Sequence, residues 1–164
     1  MSVNPPDNQN YLNTGYAPYS VFSISNWILK NSATPMTQMK LLKLSYLAQA
    51  LHLGVTGNPF FREEIEAWKY GPVIPTLYHY YKKYGKNDIP PDDLIPNQPE
   101  ITDEDDMAIL NFVLSRYGNK SAFDLSSMTH QPGTPWDTVW NRYGGSEYKG
   151  ATITDETILS YYRP

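Results

Sequence analysis

The segment MTQMKLLKLSYLAQALHLGVTG, from Met36 to Gly57, constrains the fold more than any other part of the chain. On a helical wheel Leu41, Leu44, Ala48, Leu51 and Val55 form one apolar face, and Leu42, Tyr46, Ala50 and Leu53 form another. Two polar stripes separate them, with Lys40 and Lys43 on one side and Gln38, Ser45, Gln49 and His52 on the other. A helix apolar on two faces is stable in water only when both are covered, so this one belongs between other elements at the centre of a domain. Thr37 is placed to cap it, and Gly54 or Gly57 to stop it.

The remaining sequence supplies elements to surround that helix. A first helix starts near Pro18, whose missing N–H suits an initial turn, and carries Val21, Ile24 and Ile28 with Trp27 beside them to about Asn31. Beyond Gly57, Asn58 and Pro59, Ile65, Ala67 and Lys69 alternate with Glu66, Trp68 and Tyr70, which predicts a short extended segment broken by Pro72 and Pro75. A helical period then runs through Leu77, Tyr81 and Tyr84 to Gly85, and Pro90, Pro91, Pro96 and Pro99 impose a loop. Thr102 and Asp105 resemble a capping box ahead of Met107, Leu110, Leu114 and Tyr117, with Gly118 as the stop. Ser121 precedes a helix through Ala122, Leu125 and Met128, Pro135 opens a shorter one holding Trp136 and Trp140, and Thr154 caps a last one. Residues 1–17, with Pro5, Pro6 and no apolar period, read as a flexible N-terminal segment. The expected architecture is mainly α: a single compact helical domain over residues 18–164, with at most a short β element around residues 60–70.

Composition narrows the chemistry. Seventeen acidic against 13 basic residues give a net charge of −4, which disfavours binding to nucleic acid, because such binding draws on Lys and Arg at phosphates. No window approaches the roughly 18 consecutive apolar residues that cross a bilayer. The start MSVNPPDNQN lacks the pattern of a signal peptide, so no membrane association and a cytoplasmic location are expected. Zero cysteines exclude disulfides, thiol nucleophiles and thiolate metal sites. No H-E-x-x-H, P-loop or G-x-S-x-G spacing occurs, and Glu63, Glu64 and Glu66 have no histidine at a ligand spacing, so neither metal nor cofactor is expected. His52, inside a polar stripe, reads as a hydrogen-bonded structural group. The acidic runs at Asp92–Asp93 and Asp103–Asp106 solubilise a surface or complement a basic partner. Fourteen Tyr and 4 Trp serve equally as core or as contact surface.

Three ordered motifs carry a resemblance: a K-L-x-K-L-x-Y-x-A-Q helix and an E-A-W-x-Y-G-P-V turn within residues 40–85, then T-H-x-x-G-x-P-W at residues 129–136. Together with the helices between them, they make most of residues 20–142 similar to the Panacea family of SocA-like antitoxins and GepA-type phage-associated proteins. The resemblance implies a mainly helical domain that neutralises a cognate protein toxin encoded by an adjacent gene. It does so by direct binding in most cases and by delivery to a protease in at least one. The toxins are diverse and include nucleotide-modifying and pyrophosphate-transferring enzymes. The chain is thus expected to be an antitoxin and not an enzyme. The alternatives are a proteolytic adaptor, or a small hydrolase or transferase using His130 and a carboxylate.

For the partner-binding surface, the turn Lys69, Tyr70, Gly71 and Pro72 stands first, with Tyr78 on the following helix. A rigid Gly-Pro turn presents an aromatic without further ordering cost, and Tyr anchors often dominate interface energy. His130 and Trp136 in the second motif are candidate neighbours. Their structural reading is that His130 braces the loop through a hydrogen bond and Trp136 locks it against the central helix.

Overall fold

The computed structural model describes residues 17–142, 144 and 150–162. In chain order the elements are α1 (Val21–Asn31), α2 (Gln38–Thr56), β1 (Ile65–Trp68), β2 (Gly71–Val73) and α3 (Pro75–Tyr81), which runs into a 3-10 turn (Lys82–Tyr84). There follow α4 (Glu104–Tyr117), α5 (Ala122–Thr129), the single turn α6 (Pro135–Asp137), a π turn (Thr138–Arg142), β3 (Ala151–Ile153) and α7 (Asp155–Tyr162). The chain is therefore mainly α with one small sheet.

Helix α2 is the axis of the molecule. Every residue from Lys40 to Ala50 is buried, because α1, α3, α4, α5, α7 and β2 all pack against it. The Thr37 hydroxyl accepts from the Lys40 N–H at the start, and Gly57, at φ 77°, ends it with its N–H on the Leu53 carbonyl. Burial extends to the polar stripes, which obliges each polar group there to find a partner. Gln49 accepts from the Phe60 and Phe61 N–H groups at 2.7 and 3.1 Å and donates to the Phe61 carbonyl at 2.9 Å, tying down the loop after the helix. Toward the C-terminal end the first apolar face opens: Leu51 is half-buried and Val55 is 66% exposed.

Two helix starts differ from expectation, each because a nearby side chain caps better. Helix α1 begins three residues after Pro18, where the Ser20 hydroxyl accepts from the Phe22 N–H. Helix α4 is capped by Asp103, whose carboxylate accepts from the Asp106 N–H at 2.9 Å, and not by Thr102. Ser121 caps α5 as expected, Thr134 caps α6 with Pro135 in its first turn, and Thr154 accepts from the Thr157 N–H at the start of α7. Of the expected flexible segment, residues 1–16 lie outside the described residues, and Ala17 is buried.

The sheet has order β2-β1-β3 and is antiparallel throughout, with Trp68 opposite Gly71 and Ile65 opposite Ile153. The expected extended segment is β1; β3 was not expected, since a three-residue strand carries too little alternation to be read locally. Ile65, Ala67 and Ile153 turn into the core. Glu66 and Trp68 share the opposite side of β1, where the Trp68 indole donates to the Glu66 carboxylate at 2.9 Å.

Candidate protein-binding site

Lys69 and Tyr70 make the two-residue turn of the β1–β2 hairpin. Gly71 follows at φ 120°, in backbone space that favours glycine, and a Cβ there would meet Lys43 Nζ at 3.1 Å. Three side chains from three helical elements hold alternate carbonyls of this hairpin. The Trp136 indole donates to the Trp68 carbonyl at 2.5 Å, the Ser126 hydroxyl to the Tyr70 carbonyl at 2.6 Å, and the Lys43 ammonium to the Pro72 carbonyl at 2.8 Å. The turn backbone is thereby fixed from α6, α5 and α2, while its two side chains point outward: Tyr70 is 62% exposed, with Lys69 Nζ 5.5 Å from its ring centre. Gly71 and Pro72 are buried and shape the turn.

Beside the turn lies a groove of about 1150 Å³. Its walls include Met39 and Lys43 from α2, Trp68 and Tyr70 from the hairpin, Tyr78 from α3, Phe123 from α5 and Trp140 from the π turn. The Trp68 and Tyr78 rings meet edge to face at 5.0 Å. Among the described residues, six large hydrophobic side chains are exposed, and three of them, Met39, Tyr70 and Phe123, line this groove. Clustered exposed apolar side chains are less ordinary on a protein surface than isolated ones.

Electrostatically the groove is unlike the rest of the chain. Among the described residues its charged lining groups are Lys43, Lys69 and Lys86; the Glu66 carboxylate is close by, bonded to the wall residue Trp68. Lys43 is 2% exposed, and burial alone pushes its ammonium down to a pKa of about 7. Its bond to the Pro72 carbonyl is its one hydrogen bond among the described residues. Gln38, also in the wall, donates through Nε2 to the Gly85 carbonyl, while its buried Oε1 has no partner among the described residues.

Of the residues expected to meet a partner, Lys69, Tyr70 and Tyr78 stand together on the groove. His130 and Trp136 do not line it. His130 Nδ1 bonds the Ser126 carbonyl and its ring meets the Trp136 indole edge to face at 5.3 Å. Trp136, 6% exposed, stacks on Trp140 at 5.5 Å. These two side chains support the wall and the turn from behind.

Among the described residues, the one histidine that approaches a carboxylate is His52, 3.8 Å from Asp106. Its ring stacks on Phe60 at 4.3 Å, its Nδ1 bonds the Asn58 carbonyl at 2.6 Å, and burial lowers its pKa. Asp106 also accepts from the Tyr19 hydroxyl, so this cluster ties α2 to α4 and to the segment before α1. Among the described residues no group of His, Asp or Glu is placed to hold a metal ion, and no helix is long and apolar enough to cross a membrane.

Sequence reasoning missed Gln38, Met39, Lys43, Lys86 and Phe123 as site residues. For Phe123 a signal existed: two positions before the buried Leu125, it falls on the opposite side of α5 from that side chain, so a large apolar residue sits out of phase with it.

The family described as antitoxin SocA-like, Panacea domain, matches residues 41–137. That span includes Lys43, the hairpin, Tyr78, Phe123 and Trp136. Antitoxin SocA of Caulobacter vibrioides (strain NA1000 / CB15N) is 30% identical over 152 residues, covering 86% of this chain and 81% of that protein. No solved structure matches.

Proposed function

Because the chain belongs to the family of SocA-like antitoxins with a Panacea domain, we propose that it is the antitoxin of a toxin–antitoxin pair and neutralises a protein toxin encoded beside it by direct binding. The observation that carries this reading is the pinned hairpin. Three buried donors hold its carbonyls, so Tyr70 is presented on a backbone that loses little freedom on binding. The contact surface is the turn Lys69–Tyr70 with Tyr78 and the groove beside them. Gly71 and Pro72 set the turn's shape, and His130 and Trp136 contribute by holding the wall. No step in this reading needs a cofactor, a metal or a reacting side chain.

Coexpression tests it. The product of the neighbouring reading frame should arrest growth when expressed alone, and this chain should relieve the arrest while forming a stoichiometric complex that co-purifies. Persistent arrest with both proteins soluble would sink the antitoxin reading. Relief accompanied by loss of the toxin from the cell, with no complex recovered, would replace direct neutralisation by delivery to a protease.

A further inference from the structure

A lysine buried without a counter-ion at the edge of an apolar groove is an unusual arrangement. The desolvation of an ammonium is expensive and is normally offset by a carboxylate. Here the only cause acting on Lys43 is burial, which means that no carboxylate within the described residues compensates it. Its hydrogen-bond partner is the Pro72 carbonyl at 2.8 Å, and a Cβ at Gly71 would stand 3.1 Å from its Nζ and 3.4 Å from the Thr129 hydroxyl. Two of its three N–H bonds are left for something else.

The surroundings specify what that is. The chain carries 17 acidic residues against 13 basic, yet among the described residues the charged groups lining the groove are all lysines. An anionic group is therefore favoured here and disfavoured over most of the surface. Gln38 Oε1 is buried in the groove wall and has no hydrogen-bond partner among the described residues. Met39, Tyr70 and Phe123, at 39%, 62% and 77% exposure, offer apolar contact from three separate elements. The volume, about 1150 Å³, exceeds the roughly 300–1000 Å³ of ordinary small-molecule pockets. That volume accommodates a short stretch of polypeptide.

We propose that the groove receives a single segment of the bound toxin in which an aliphatic or aromatic side chain lies beside an Asp or Glu, the carboxylate pairing with Lys43 between the rim lysines Lys69 and Lys86. This rests on the antitoxin reading and adds to it the chemistry of the partner. The apolar side chain packs among Met39, Trp68, Tyr78 and Phe123. Seating the carboxylate gives the Lys43 ammonium the counter-ion that the described residues do not supply.

The probe is the adjacent-frame protein whose growth arrest this chain relieves, titrated calorimetrically into the full-length chain. Phe123→Ala and Lys86→Ala, both at exposed positions, should each weaken binding, the former by about tenfold or more. Each Asp and Glu of the toxin is then changed to Asn or Gln and measured against the parent and against Lys43→Met. One of them should show a coupling of about tenfold or more, its effect vanishing when Lys43 is gone. Additive effects for every carboxylate, with Phe123→Ala and Lys86→Ala binding like the parent, overturn the proposal while leaving the antitoxin reading intact. A parent chain that neither binds nor relieves arrest removes both. A free chain that dimerises, and is made monomeric by Phe123→Asp, assigns the groove to a second copy and overturns the proposal as well. If Lys43→Met does not fold, the two surface variants still decide whether the groove is the seat.

Discussion

Replacing Lys43 by Met exposes the energetic cost of the buried charge as a function of pH. Burial lowers the amine from 10.5 to about 7 in the folded chain, whereas in the unfolded chain it titrates near 10.4. The folded pKa lies below the unfolded one, so folding disfavours the protonated form. The penalty is complete below about pH 7 and disappears as pH rises toward the unfolded value near 10.4, since across that window the unfolded state binds more protons. At about 1.36 kcal/mol per unit the full penalty is roughly 5 kcal/mol. Between about pH 6.5 and 8.5 the parent should gain about 2 kcal/mol of stability from this group alone, as the folded amine loses its proton while the unfolded one keeps it.

Lys43→Met keeps an unbranched apolar stem and removes the titrating group, at the cost of the hydrogen bond to Pro72, worth about 1–3 kcal/mol when the donor is charged. The variant should therefore be as stable as the parent or more so near pH 6, and lose ground to it as pH rises. Urea unfolding followed by tryptophan fluorescence at several pH values, with unchanged m, measures the difference. His52 also titrates low, through burial, but it lies on the opposite stripe of α2 and is common to both proteins, so its contribution cancels in the difference. A variant-minus-parent stability that is constant within about 0.5 kcal/mol across this range would refute the reasoning, because Lys43 would then carry an ordinary pKa.

Leu44, fully buried at the centre of α2, should cost about 2–5 kcal/mol as Leu44→Ala, whereas Leu51→Ala, at a half-buried position, should cost clearly less; thermal unfolding separates them. Tyr70→Ala should leave the melting temperature within error and weaken toxin binding by about 2 kcal/mol in calorimetric titration; unchanged affinity would remove the turn from the site. Trp136→Phe removes the donor to the Trp68 carbonyl and should lower stability by about 1–3 kcal/mol, with hydrogen exchange accelerated at the hairpin before the rest of the fold. Gln49→Leu strands the Phe60 and Phe61 N–H groups and should destabilise by several kcal/mol, despite Leu being the more apolar residue; a stable variant would mean that loop finds other partners.

What was legible in the sequence is local. Helix α2, its Thr37 cap and its Gly57 stop follow from period and capping chemistry within a turn or two of the residues concerned, as do β1 and the caps at Ser121 and Thr154. β3 escaped because its pairing with Ile65–Ala67 joins residues far apart in the chain through only three positions. Lys43 was visible as a member of a polar stripe, and a polar stripe on a helix ordinarily means solvent. It is buried because the hairpin around Pro72 and helix α5 close over it, and neither the distance to Pro72 nor the absence of a carboxylate among its neighbours can be seen from positions 40–50 alone. The burial carries its own argument. An apolar side chain at position 43 would fill the same space without a desolvation cost near neutral pH, as replacements of buried charges by apolar residues show elsewhere. On this reasoning the lysine costs the free chain stability at low pH, and holding one carbonyl is a small return when hydroxyl and indole donors already hold two others in the hairpin. A lysine buried without a carboxylate among the described residues, beside a groove whose described charged lining is lysine, is accounted for by an anion that arrives from outside, which is why the toxin's carboxylates, and not its basic residues, are the ones to substitute first.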